Sequence, residues 1–129
     1  MRAPLLAAVL IALPSCDRAP AQAADPLDRA FLGLCEAGTL SARGRVDDAG
    51  EVFQDRSHEL LHQLAADVQE VDPAAAAALL EAKQRVEAAL VESGTDPGAL
   101  SDLLAALRRA LAMAARELGK MVPRCGEGR

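Results

Sequence analysis

The chain has 129 residues and a formal net charge of −5, and 51% of its residues are hydrophobic. Its only aromatic residues are two phenylalanines, so stacking on nucleic-acid bases is barely available, and the acidic balance opposes binding of phosphates. Alanine, leucine, glutamate and arginine favour helices, and no run of residues reads as a strand. The composition therefore predicts an all-α protein with one domain and argues against a nucleic-acid partner.

The first 15 residues have the pattern of a secretory signal peptide. Arg2 supplies a positive charge, and an apolar run extends from Leu5 to Leu13. This run is too short for a membrane-spanning helix, which needs roughly 20 apolar residues, but it suits the hydrophobic region of a signal peptide. The pattern predicts export from the cytoplasm, and a buried helix of a cytosolic protein is the opposing interpretation.

Residues 13–16, Leu-Pro-Ser-Cys, resemble the lipobox of bacterial lipoproteins. The resemblance implies that the sulfur of Cys16 receives a diacylglyceryl group and that Cys16 becomes the first mature residue. The protein would then be held at a membrane surface outside the cytoplasm, in the periplasm or at the cell surface. The predicted parts are a signal peptide (1–15), a lipid-anchored tether (16–24) and a helical domain (25–129). The alternative is cleavage after the A-x-A pattern at 21–23, which would give a secreted soluble protein.

Three Asp-Pro pairs predict the starts of helices. An aspartate side chain can accept hydrogen bonds from free amides of the first turn, and proline suits the first helical position. The pairs are Asp25-Pro26, Asp72-Pro73 and Asp96-Pro97. A fourth start is predicted after Gly44, which can end the preceding helix in the left-handed conformation, with Asp47 and Asp48 capping the next N-terminus.

Apolar residues recur every three or four positions after each start, as amphipathic helices require. The predicted helices cover about 27–42, 47–71, 73–92 and 98–121. The apolar stripe of the second helix is expected to comprise Ala49, Phe53, Leu60, Leu61, Leu64, Val68 and Val71. Because short connections make consecutive helices antiparallel, the sequence predicts an up-down-up-down four-helix bundle.

The second predicted helix carries the motif H-E-x-x-H at residues 58–62. Residues four apart lie one turn apart on one helix face, so His58 and His62 can bind the same metal ion. If the next helix folds back, Glu81 would lie near the level of His62 and Glu87 near that of His58. These four residues are the candidate ligands of a site for zinc or another divalent transition metal.

The same motif resembles that of the zincin metallopeptidases. The resemblance implies that Glu59 acts on a metal-bound water, and in the gluzincins a glutamate about twenty residues further on, here Glu81, completes the site. Zincins place this helix beside a sheet, however, and no strand is predicted. With Phe53, Leu60, Leu64 and Val71 as the inward face, the helical wheel also puts His58 about 120° from that face and His62 near solvent. We therefore predict a non-catalytic binding or structural role, with an unspecified protein partner. On this interpretation the two histidines are solvated or boundary residues that serve packing or solubility. Metal binding is the alternative and a zinc peptidase the third possibility.

Cys35 and Cys125 are the remaining cysteines once Cys16 is assigned to the lipid. In an exported protein an even number of cysteines predicts a disulfide, and two free thiols are the alternative. This disulfide would tie the end of the chain to the first helix. For a loop of about 90 residues, the chain-entropy model gives a contribution of about 4 kcal/mol to stability.

Overall fold

The computed structural model describes residues 25–126, in which every element of regular secondary structure is a helix and no strand occurs. The predicted all-α class is confirmed for these residues. The predicted signal peptide, Cys16 and the tether lie outside the described residues. The helices are α1 (Pro26–Ala42), α2 (Val46–Phe53), α3 (Glu59–Gln69), α4 (Pro73–Val91) and α5 (Pro97–Glu117), and a π-helical turn (Gln54–His58) joins α2 to α3.

The three Asp-Pro pairs begin helices as predicted. Each aspartate precedes its helix and accepts hydrogen bonds from amides of the first turn. These side chains therefore satisfy amides that have no partner within the helix. The donors are the amides of Leu27 (2.8 Å, to Asp25), Ala74 and Ala75 (3.0 and 3.1 Å, to Asp72) and Ala99 (2.8 Å, to Asp96).

The start of α2 differs from the prediction. Its N-cap is Arg45, which makes no capping hydrogen bond through its side chain. Asp48 is not a cap but lies in the first turn, where its carboxylate accepts a hydrogen bond of 2.7 Å from Arg45 Nε. The acidic charge near this N-terminus is as predicted, and it suits the helix dipole without capping the helix.

Glycines with positive φ follow α1 and α5. Gly44 (φ 79°) follows α1 as predicted, and Gly119 (φ 69°) follows α5 in the same way. The prediction that the last helix reaches residue 121 is wrong, because α5 ends at Glu117 and the amide of Lys120 turns back to the carbonyl of Ala115 at 2.9 Å. This hydrogen bond and the left-handed glycine form the usual C-terminal helix stop.

The helix predicted over 47–71 contains a π-helical turn that the sequence pattern did not reveal. Ser57 lies in this turn and is buried, and its hydroxyl donates to the carbonyl of Ala30 on α1 at 2.9 Å. Gly33 of α1 allows the close approach, since a Cβ added to it would lie 2.5 Å from Ser57 Oγ and 2.9 Å from Arg56 Cβ. Arg56 also pairs with Glu36 of α1.

This π-helical turn changes which residues of α3 face the core. A π turn closes its hydrogen bonds over five residues, so the positions after it are rotated relative to those of an unbroken α-helix. Leu61 is fully buried, whereas Val71 is 58% exposed. Of the residues predicted inward, Phe53, Leu61, Leu64 and Val68 are buried, Leu60 is only partly buried, and Val71 lies in the turn after α3 and is exposed. The prediction is therefore wrong for Val71, and it missed the burial of Ser57 and Ala65.

The helices pack around one core in which α1 contacts α2 and α5, and α4 contacts α3 and α5. Both phenylalanines are buried, but leucine and alanine fill most of the core. Within residues 25–126, none of the helices is both long and apolar enough to cross a membrane. The leucines with almost no exposed surface are Leu27, Leu34, Leu61, Leu79, Leu100, Leu104, Leu107 and Leu111.

Several long-range contacts join α1 to the C-terminal part of the chain. The Sγ atoms of Cys35 and Cys125 lie 2.06 Å apart and their Cα atoms 5.4 Å apart, which is disulfide geometry. The hydroxyl of Ser41 donates to the carbonyl of Pro97 at 2.7 Å. Arg108 points its Nη1 at the carbonyl of Leu34, 3.4 Å away, and burial, with a smaller effect of the Arg109 charge, lowers the pKa of Arg108.

Candidate metal centre

The two motif histidines lie where the π-helical turn passes into α3, on the side that packs against α4. His58 is the last residue of the π turn, and His62 lies one helical turn further along in α3. Glu87 comes from α4. The contact between α3 and α4 therefore brings together residues that are 29 positions apart in sequence, as the prediction for His58 and Glu87 required.

His58, His62 and Glu87 form the compact group. His58 Nε2 lies 3.1 Å from Glu87 Oε1, and the two imidazole rings meet edge to face with centroids 5.0 Å apart. One ligand atom from each of the three residues lies within 4.8 Å of the others. Ligand atoms around a tetrahedral zinc ion are about 3.3 Å apart, given metal–ligand distances near 2.0–2.1 Å. Small side-chain rotations would therefore bring the three groups around one ion.

The candidate site lies at the edge of the core. The side chains of His58 and Glu87 are 32% and 31% exposed, and His62 is exposed. Beneath His58, the buried ring of Phe53 makes an edge contact with the imidazole at a centroid distance of 6.1 Å. The arrangement has the Phe53 ring against His58 on its buried side and an open outer side, where water molecules could complete the coordination of an ion.

Two other glutamates of the sequence analysis lie outside this group. Glu81, predicted as a further ligand, is exposed and pairs with Arg85 one turn along α4, at 2.6 Å from Arg85 Nη2. Glu59, the motif glutamate, is exposed and its carboxylate accepts a long hydrogen bond of 3.4 Å from Gln63 on the same helix. Among the described residues, the structure therefore brings together three of the four predicted ligands.

Lys83 is the residue of this region that sequence reasoning missed. Its side chain is only 2% exposed, and its ammonium pairs with Glu87 Oε1, the same oxygen that faces His58. Lys83 and Glu87 are four residues apart on α4, a spacing that favours ion pairs on a helix. That spacing was visible in the sequence, but a lysine is ordinarily expected in solvent.

Zincins place the motif helix beside a sheet, and residues 25–126 of this chain contain no strand. Cys16, the predicted lipidation site, lies outside the described residues. Compared with protein-family models, with curated proteins and with solved structures, the chain shows no significant match.

Proposed function

We propose that this chain is an exported, lipid-anchored helical protein with a non-catalytic binding role, and that its ligand is a divalent transition metal. The observation that carries the metal proposal is the convergence of His58, His62 and Glu87 from two helices within 4.8 Å. Two imidazoles and one carboxylate are a common set of ligands for Zn²⁺, and imidazole also suits Cu²⁺ and Ni²⁺.

The exposure of the site favours binding over catalysis. A catalytic zinc ion works in a shaped, partly dry cavity whose ligands are held by further hydrogen bonds. Here His62 is exposed, and Glu59, the residue that would act on a bound water, has Gln63 of its own helix as its hydrogen-bond partner. We therefore expect reversible metal binding of modest affinity and no peptidase activity.

The proposal for the domain is an antiparallel up-down-up-down bundle with a native Cys35–Cys125 disulfide. The hydrogen bond from Ser41, near the end of α1, to Pro97, at the start of α5, supports opposite directions for these two helices. The sulfur–sulfur distance supports the disulfide. Mass spectrometry with and without reductant would test the disulfide: the reduced chain should gain two hydrogens, and an unchanged mass would show two free thiols.

Isothermal titration calorimetry with Zn²⁺ tests the metal proposal. The purified full chain should bind one ion, and both the His58→Ala/His62→Ala double variant and Glu87→Gln should lose this binding. Glu81→Gln is the matched control, because Glu81 is a glutamate of the same helix outside the group. Identical heats for the wild type and the histidine double variant would refute the metal site.

Palmitate labelling in a bacterial host tests the lipid anchor. The wild-type chain should be labelled, its precursor should accumulate in the presence of globomycin, and Cys16→Ser should abolish the labelling. An unlabelled wild-type chain whose mature sequence begins at Ala24 would instead establish cleavage after residue 23 and a secreted soluble protein.

A further inference from the structure

Glu87 Oε1 is shared by two groups. It lies 3.1 Å from His58 Nε2 and also pairs with the ammonium of Lys83. Lys83 reaches this oxygen from the buried side, where its side chain is 2% exposed, whereas the histidines approach from the outer side. The carboxylate that would bind a metal ion therefore already has a cation as its partner.

The charges around Glu87 balance without a metal. The carboxylate carries −1 and the lysine +1, and imidazoles in the neutral form that binds metal ions would add nothing. A divalent cation at His58, His62 and Glu87 would bring two positive charges next to a buried ammonium. Repulsion between such charges is weakly screened away from bulk water, so it opposes binding much more than a surface lysine would.

We infer that Lys83 is a built-in competitor of the metal ion, which holds Glu87 when the site is empty and sets the affinity of the site. This inference rests on the proposed metal-binding function. A bound ion would take Glu87 as a ligand and displace the ammonium from Oε1. Without Lys83, the same three ligands would carry a net charge of −1 and would attract a divalent cation.

If Lys83 competes with the metal ion, removing the charge of Lys83 should increase the affinity of the site for metal. Damage to the fold would decrease that affinity instead. Lys83→Met keeps most of the length of the side chain and removes its charge. Lys120→Met is the matched control, because Lys120 is the only other lysine of the chain and is exposed after the end of α5. It removes the same charge from the whole protein but not from the site.

The experiment is a Zn²⁺ titration of the full chain by calorimetry at one fixed pH, for the wild type, Lys83→Met and Lys120→Met. We expect Lys83→Met to bind Zn²⁺ about tenfold more tightly or better, and Lys120→Met to match the wild type. Circular dichroism would verify that the helices remain. If Lys83→Met does not fold, Lys83→Gln, which keeps a polar group but no charge, decides by the same criterion.

The results separate this inference from the proposed function. Zinc binding that depends on the histidines but is equal or weaker in Lys83→Met would overturn the inference and leave the metal site intact. If the histidine double variant gives the same heats of zinc binding as the wild type, the metal site itself is overturned. Equal tightening in Lys83→Met and Lys120→Met would also overturn the inference, because it would trace the effect to net charge.

Discussion

The α1–α5 side of the domain and its α3–α4 side use polar groups differently. Between α1 and α5 with the segment that follows it, the contacts are structural: the Ser41 hydroxyl donates to the Pro97 carbonyl, and Cys35 lies at disulfide distance from Cys125. Between α3 and α4, His58 and Lys83 share one oxygen of Glu87, and two of these three side chains are about one-third exposed. One side has the groups that stabilise a small protein, and the other has groups that can exchange partners.

This difference shows how an alanine-rich domain can carry a binding site. The core consists mostly of alanine and leucine, so it has few side chains of distinctive shape to fix one packing arrangement. A disulfide that closes a long loop can compensate for a small core. Such stabilisation on one side allows a partly buried group of charges on the other. The predictions below change each side separately.

The largest expected effect is on stability, from removal of the cysteine pair. Cys35→Ser/Cys125→Ser should lower the free energy of unfolding by about 4 kcal/mol, because the two residues are 90 positions apart and the open chain gains entropy when unfolded. Urea denaturation measures the loss. Reduction of the wild type should reproduce it, and a loss below about 1 kcal/mol would contradict a disulfide that closes this loop.

Zinc should stabilise the domain through the α3–α4 side. At a free concentration of 100 times the dissociation constant, Zn²⁺ should raise the free energy of unfolding by about 2.7 kcal/mol, since it binds the folded chain only. The gain should persist in the cysteine double variant while that variant remains folded, and it should vanish in His58→Ala/His62→Ala. Equal stabilisation of the histidine variant, measured in the same urea series, would place the metal elsewhere.

Gly33 connects the two sides, because it is the residue of α1 against which the π-helical turn packs. Gly33→Ala should destabilise the protein by about 1–2 kcal/mol, since the new methyl group would meet Ser57 and overpacking exceeds the gain in helix propensity. It should also weaken zinc binding by displacing His58. Thermal unfolding and calorimetry measure these two effects.

The control for Gly33 is Gly50→Ala. A Cβ at Gly50 would lie 3.2 Å from Cδ2 of Leu90, at the end of a side chain that can move. This substitution should therefore be neutral or stabilise the helix by a few tenths of a kcal/mol. If both glycine variants behave alike, the close packing at Gly33 does not determine the π-helical turn.

The smallest expected effect comes from Glu81. Glu81→Gln removes an exposed ion pair with Arg85 and should change the free energy of unfolding by less than about 0.5 kcal/mol. Its zinc affinity should equal that of the wild type. A clear loss of affinity would return Glu81 to the ligand set that the sequence predicted.

The sequence predicted the features that depend on local chemistry. Each Asp-Pro pair starts a helix because both residues act within one turn, and Gly44 ends α1 because it accepts a positive φ. The spacing of His58 and His62 made them neighbours on any helix. The proximity of Glu87 followed from the turn at Asp72, which folds α4 back on α3.

The features that the sequence did not reveal depend on contacts between distant residues. The π-helical turn is associated with the packing of Ser57 on Ala30 and Gly33, and no periodicity within residues 47–71 contains that information. The prediction also placed Val71 inside, although α3 ends at Gln69 and Val71 is exposed in the turn that follows. Lys83 was overlooked because its burial depends on its pairing with Glu87 in the folded chain.

The most direct test is a crystal structure of the full chain with Zn²⁺, with anomalous scattering recorded at the zinc edge. We expect one strong peak about 2.0–2.2 Å from a nitrogen of His58, a nitrogen of His62 and a carboxylate oxygen of Glu87. In the same map, the ammonium of Lys83 should have left Glu87. Zinc bound only at other residues, or no ordered zinc at a saturating concentration, would contradict the proposed metal centre.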